Sequence, residues 1–165
     1  MKKLLYLPFV ALLVLLDRFS KIWIENNLKG KENIIILKNI FELEYVENTG
    51  AAFSSFAGKQ GFLIGLTSVI LIVLILLFLR IPDNKRFLGL NLSFAMLISG
   101  AVGNMYDRIF KHYVVDFFYF VPINFPRFNV ADVLICVSVG LLIVLFMFVY
   151  KEEETDFLFH IKKKK

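Results

Sequence analysis

Apolar and polar positions along the chain fall into long blocks, not into the short alternation of a soluble domain. Four blocks, at residues 4–24, 62–79, 88–106 and 130–150, are dominated by Leu, Ile, Val and Phe. A helix rises about 1.5 Å per residue, so about 20 residues cross a hydrocarbon core about 30 Å thick, and each block has roughly that length. The pattern therefore predicts four transmembrane helices. The second block holds no ionisable residue, and the fourth holds only Asp132, near its start. The first carries Asp17, Arg18 and Lys21 toward its far end. Ionisable groups at membrane depth are costly, so these three are expected to be paired or functional.

The segments between the blocks have a pattern of their own. Ile34 to Leu37 and Phe41 to Val46 read as strands, the second alternating apolar and acidic residues with period two. Phe117 to Pro122, with Phe125 and Pro126, is a candidate third strand that its prolines confine to an edge. These segments predict a small antiparallel sheet on the outer leaflet, with aromatics in the interfacial belt. Ala51 to Lys59, with Phe53 and Phe56 three apart, reads as a short amphipathic helix in the headgroup layer. Gly50 and Gly58 bracket it. It is either a fixed anchor or a movable cover over a site.

Composition agrees with a membrane chain. Of the 165 residues 58% are hydrophobic, against about 45–50% in soluble domains, and the mean hydropathy is +0.71. The net charge of +5 gathers at the chain ends and in the connector from Arg80 to Arg86, not along one face, which argues against nucleic acid. By Lys and Arg density, both termini and that connector are cytoplasmic, and residues 25–61 and 107–129 lie outside. Met1-Lys2-Lys3 before an apolar run also resembles a secretory signal. No small-x-small site follows it, so an uncleaved signal-anchor helix is the expectation. With one cysteine, Cys136, and neither linker nor repeat, residues 1–165 read as a single membrane domain that ends in a solvated, charged cytoplasmic tail at 151–165.

The candidate chemistry sits at the outer ends of the blocks. Asp17 and Lys21, four apart, are either an ion pair on one helix face or a site where Lys21 meets an anionic headgroup. Glu47 to Phe53 is a polar turn followed by small residues. Gly100-Ala101-Val102-Gly103-Asn104 ends the third block with residues that allow close helix approach. Asp107, Asp116 and Asp132 all fall at outer boundaries. Asp107, next to Arg108 and on the Asn104 face, reads as an ionised carboxylate holding the site together. Two carboxylates brought close in partly apolar surroundings share a proton, as in an aspartic protease dyad. The motifs of serine hydrolases, zinc peptidases and phosphate-binding loops are missing, and His112 and His160 offer no ligand spacing, so neither metal nor cofactor is expected.

Five ordered blocks then resemble one family. They are Asp17-x-x-x-Lys21; Asn48-Thr49-Gly50-Ala51-Ala52-Phe53; Gly100-Ala101-Val102-Gly103-Asn104-x-x-Asp107-Arg108; Val114-Val115-Asp116-Phe117; and Phe128-Asn129-Val130-Ala131-Asp132. Together they resemble lipoprotein signal peptidase, also called signal peptidase II. The resemblance implies an α-helical integral membrane protein with four spans, a small extracytoplasmic antiparallel sheet and an interfacial helix. It implies a monomeric aspartyl endopeptidase of the bacterial inner membrane, surrounded by phospholipid, that cuts diacylglyceryl-modified prolipoproteins just before the lipidated cysteine. Asp116 and Asp132 match the catalytic dyad. Asp17, Lys21, Asn48, Gly50, Asn104, Asp107, Arg108, Asn129 and Ala131 match positions that bind substrate or organise the site. Ser99 and Tyr106 depart from the family pattern at packing positions. A proton-coupled carrier and a noncatalytic assembly subunit are the alternatives. The first needs midplane charges and repeat symmetry, and the second needs no convergence of aspartates.

Overall fold

The computed structural model describes residues 2–50, 56 and 58–159. After a 3₁₀ turn at Lys2–Tyr6, helix α1 runs Leu7–Leu28, with Pro8 in its first turn where a missing N–H costs nothing. Strands β1 (Ile34–Leu37) and β2 (Phe41–Asn48) follow, then α2 (Gln60–Arg80), a 3₁₀ turn at Lys85–Phe87 and α3 (Leu88–Lys111). Strand β3 (Val114–Phe120), a turn at Val121–Ile123 and α4 (Val130–Val144) come next, and α4 continues as a π-helical turn over Leu145–Val149. Helix α5 spans Glu152–Phe159.

Helix α3 is the hub of the bundle, with α1, α2 and α4 packed around it. Its buried stripe, from Leu90 and Phe94 through Ile98 to Gly103 and Asp107, includes small residues that let its neighbours approach closely. A Cβ on Gly100 would stand 2.5 Å from the Ala131 carbonyl oxygen, and one on Gly103 would stand 2.6 Å from Asp17 Oδ2. Outward, Leu12, Leu15 and Phe19 of α1, Val69, Ile72 and Leu76 of α2, and Val137 and Val144 of α4 are exposed. So much outward-facing apolar surface suits lipid and not water. By length and composition, Gln60–Arg80, Lys85–Lys111 and Val130–Val149 are each able to cross a membrane. Helix α1 is as long, but Asp17, Arg18 and Lys21 interrupt its apolar character.

The sheet is antiparallel in the order β1-β2-β3. Its third strand begins at Val114, three residues before the expected Phe117, so Asp116 lies inside the sheet opposite Val46, with Asn48 opposite Val114. Pro122 falls in the turn beyond the strand, and Phe128 returns to pair with Phe118. Val115 and Phe117 pack on Ile24 and Leu28 and so seat the sheet on the C-terminal end of α1. Most of the expected interfacial helix, including Phe53 and residues 51–55 and 57, lies outside the described residues. Phe56 and Gly58 both adopt left-handed φ, 59° and 78°, in a turn before α2.

The tail departs from expectation. Instead of a solvated end, residues 152–159 form α5, which buries Thr155 and Leu158. Leu158 joins Phe78, Ile81, Leu90 and Tyr150 in the core at that end. Arg86 holds Glu154 through two hydrogen bonds of 3.0 Å and stacks on Tyr150, and Arg80 donates to the Leu158 carbonyl. A stretch of mixed charge reads as solvated when its apolar residues have no visible partner. Here Tyr150, Phe157 and Leu158 find one in Phe87 and α2.

Candidate active site

A cavity of about 1080 Å³ opens where the sheet meets the C-terminal end of α3 and the N-terminal end of α4. Asp116 and Asp132 both line it, together with Asn48, Asn104 and Arg108. It extends along the apolar side of α4, past Val133 and Cys136.

Asp116 is brought there by β3 and is almost fully buried. Its Oδ2 accepts from Asn48 Nδ2 at 2.8 Å and its Oδ1 from Asn129 Nδ2 at 2.6 Å. Burial, and after it the nearby Asp132 carboxylate, push its pKa up to about 6. Asp132 comes from the first turn of α4. Asn129 and Asp132 form a reciprocal cap, in which the Asp132 N–H donates to Asn129 Oδ1 and the Asn129 N–H donates to Asp132 Oδ2, both at 3.1 Å. The other oxygen, Oδ1, accepts from Asn104 Nδ2 at 2.8 Å.

The three amides are oriented by donors of unambiguous polarity. The Gly50 N–H donates to Asn48 Oδ1 at 2.9 Å, so Nδ2 of Asn48 turns to Asp116. The Asp132 N–H occupies Asn129 Oδ1, leaving Nδ2 for Asp116. The Lys21 ammonium donates to Asn104 Oδ1 at 3.0 Å, leaving Nδ2 for Asp132. Each carboxylate thus receives amide donors from behind and keeps a second lone pair on each oxygen.

Beneath the two carboxylates lies a buried ion cluster. Lys21 Nζ sits 2.9 Å from Asp17 Oδ2 and 3.1 Å from Asp107 Oδ2, and all three side chains are at most 1% exposed. Arg18 completes the charge balance with Asp107 Oδ1 at 2.7 Å and stacks on Tyr106. Asp17 Oδ1 also accepts from the Ala131 N–H at 2.9 Å, one residue before Asp132.

Of the two readings of Asp17 and Lys21 the structure has the ion pair: Lys21 is fully enclosed and its donors go to Asp17, Asp107 and Asn104, with none left for a headgroup. One sequence expectation is corrected here. Asp107 pairs with Arg18 and Lys21 of α1, and not with its neighbour Arg108. Adjacent residues on a helix point about 100° apart, so Asp107 faces α1 while Arg108 turns to the cavity. Arg108 Nη2 donates to the Gly50 carbonyl at 3.0 Å, and its buried Nε has no hydrogen-bond partner among the described residues.

The structure therefore brings Asp17, Lys21, Asn48, Gly50, Asn104, Asp107, Arg108, Asp116, Asn129, Ala131 and Asp132 to one end of the bundle. Ala51, Ala52 and Phe53 lie outside the described residues. Sequence reasoning missed two features. The Asn129/Asp132 cap was legible as Asn and Asp three apart before an apolar run. The Arg18–Asp107 pair joins residues 89 positions apart, and no local spacing announces it. His112 ends α3 in a left-handed conformation, φ 65°, as a loop residue.

Helices with apolar outward surfaces, a small sheet and a polar cavity at one end define a membrane enzyme. The fold matches two bacterial membrane enzymes solved by the in meso method. One has a TM-score of 0.75 at 28% identity over 90% of this chain and 94% of that one; the other has a TM-score of 0.73 at 28% over 87% and 85%. A family model described as signal peptidase (SPase) II matches residues 9–148, and the chain belongs to that family of peptidases. Among its relatives are the lipoprotein signal peptidases of Clostridium acetobutylicum, 41% identical over 89% of this chain and 95% of that one, and of Lactococcus lactis subsp. lactis, 40% identical over 94% and 99%.

Proposed function

We propose that this chain removes signal peptides from diacylglyceryl-modified prolipoproteins by an aspartyl mechanism, cutting immediately before the lipidated cysteine. The observation that carries the reading is the placing of Asp116 and Asp132 on one cavity with amide donors behind both. Like charges in a poorly solvated site do not both ionise readily, and Asp116, raised to about 6, is the natural holder of the shared proton. Asp132 takes a proton from a water as that water attacks the scissile carbonyl. Asp116 donates its proton to the developing oxyanion to give a gem-diol; as the C–N bond then breaks, the proton gained by Asp132 leaves with the amine and a diol hydroxyl returns its proton to Asp116. Arg108, at the cavity wall, holds the Gly50 carbonyl through Nη2 and sets a positive charge beside the dyad.

The membrane arrangement follows from the same features. Helix α1 is a fourth span, the charges of Asp17, Arg18 and Lys21 neutralised within the protein by Asp107 and by one another, and that of Glu25 by Lys111. Both termini are cytoplasmic, and the sheet and the dyad face outward, because Lys and Arg are denser at the opposite end. The cavity's apolar extension along α4 suits a signal-peptide helix lying at the lipid boundary. Acyl chains left in the outer leaflet add about 0.8 kcal/mol per buried methylene, so an unlipidated precursor loses that anchoring. A single chain supplies both aspartates and everything that holds them, as a monomeric enzyme requires.

The test is cleavage of a lipid-modified prolipoprotein by the purified protein in detergent, read as a size shift on a gel. Cleavage that is absent from Asp116→Asn and Asp132→Asn is expected. An active Asp116→Asn or Asp132→Asn variant would remove that residue from the mechanism. Cysteines placed at Lys38 and Lys85 in a Cys136-free background test orientation. An impermeant thiol reagent should label position 38 and not 85 in intact cells.

A further inference from the structure

The buried cluster below the dyad contains an ammonium that touches neither the cavity nor either candidate catalytic carboxylate. Lys21 is fully enclosed. Its partners are Asp17, Asp107 and the Asn104 side-chain oxygen. An ion pair that served stability alone would need only the two carboxylates, and hydrophobic residues of similar volume often stabilise as well as a buried pair does. The third partner is what calls for an explanation.

Asn104 is the sole amide that meets Asp132 Oδ1 among the described residues. A primary amide presents donors on one side and an acceptor on the other, and the two orientations fill the same space. In one orientation Nδ2 supports Asp132. In the other an oxygen faces the carboxylate, lone pair to lone pair. An ammonium has three donors and no acceptor, so it accepts only one orientation. Asn129 Nδ2 favours the same orientation from 3.2 Å, but as a neutral donor already committed to Asp116. The rest of the cluster reaches the dyad in the same indirect way. Asp17 holds the Ala131 N–H beside Asp132, and Asp107 approaches the Val115 N–H beside Asp116 at 3.5 Å.

We propose that Lys21 is a positioning residue for the cleavage reaction: clamped between Asp17 and Asp107, it locks the Asn104 amide so that Nδ2 donates to Asp132. The proposal rests on the dyad reading. The charge that Lys21 carries is balanced locally by Asp17 and Asp107, and Asp107 also pairs with Arg18. Arg108 from α3, Asp116 from β3 and Asp132 from α4 are the other charged groups around Asn104 and the dyad.

The test compares wild type, Lys21→Met and the charge-balanced double variant Lys21→Met/Asp17→Asn on lipid-modified prolipoprotein, with thermal unfolding measured alongside. In the double variant an Asn oxygen remains to accept from Ala131 N–H, and no carboxylate of α1 is left unpaired. Lys21→Met should lower both stability and turnover. The double variant should recover stability while its kcat stays about 100-fold below wild type, as expected for a reacting group about 1 Å out of place. Its KM should stay within about twofold of wild type, because Lys21 does not reach the cavity. The ionisation of the dyad in its pH–rate profile should move to higher pH once the ammonium is gone. A double variant with wild-type kcat and pH profile would overturn the proposal and leave the dyad intact. Failure of both variants to fold would overturn it too, since the cluster would then serve the fold alone. A wild type that leaves the precursor intact would instead defeat the dyad reading and this proposal with it.

Discussion

Asp132 and Asn129 cap one another across the first turn of α4, each side chain bonded to the other's backbone N–H at 3.1 Å. One oxygen of a candidate catalytic carboxylate therefore helps to start the helix that carries it. Asp132→Ala should lose turnover and also about 1 kcal/mol of stability, the usual cost of losing an N-terminal cap. Asp132→Asn keeps an acceptor for the Asn129 N–H and should lose turnover with a smaller fall in melting temperature. Equal melting temperatures for the two variants would argue against the cap.

Asp116 links stability to pH. Its folded pKa, about 6, lies above the ordinary carboxylate value of 3.8, so the folded state holds the proton more tightly than the unfolded state does. The stabilising contribution is complete below about pH 3.8 and is lost as pH rises through about 6, by up to about 3 kcal/mol for a shift of about two units. Melting temperature should therefore fall between pH 4 and 7 by a component that disappears in Asp116→Asn. A wild type and Asp116→Asn with parallel pH dependences would contradict this.

Asp107→Asn should be the most destabilising of the single Asp→Asn changes at Asp107, Asp116 and Asp132. It removes the negative charge facing both Arg18 and Lys21 in a fully buried setting. Breaking one side of such a pair costs about 3–5 kcal/mol. Urea titration of the three variants in one detergent gives the order directly, and a stability above that of Asp132→Asn would refute the assignment.

Gly100 and Gly103 set how closely α3 lies against its neighbours. At Gly100 the obstacle to a methyl group is the Ala131 carbonyl, which is backbone and gives way only if α4 shifts. At Gly103 it is the Asp17 carboxylate, held from two sides by Lys21 and the Ala131 N–H. Either Gly→Ala change should cost about 1–3 kcal/mol, as overpacking does. Both should depress kcat, since Ala131 and Asp17 lie one contact from Asp132. Gly140→Ala, with nothing near its Cβ, is the neutral control.

The parts of this structure that a period or a block length encodes were legible from the chain. The apolar blocks at 62–79, 88–106 and 130–150 became α2, α3 and α4 with shifted ends, and the alternation at Phe41–Val46 became β2. The third strand was placed three residues late because Val114-Val115-Asp116 does not alternate. It is buried on both sides, with Val115 against α1 and Asp116 against Asn129. The five sequence blocks picked out residues that converge at this end of the bundle, but not who holds whom. Asp107 was assigned to Arg108 by adjacency, whereas its partners come from a helix almost 90 positions earlier. Such pairings depend on the angle at which α1 crosses α3, which the close approach at Gly103 permits and no local pattern records.

The docking of α5 bears on how the protein is handled. Leu158 is buried against the bundle, and Arg80 and Arg86 clasp the helix backbone and Glu154. A purification handle or fluorescent reporter spliced in at or before Leu158 would pull that leucine out of its seat and free two arginines. The same handle joined after Phe159 would leave the seat filled, so the choice of junction decides whether a tagged preparation reports on the native enzyme or on a loosened one.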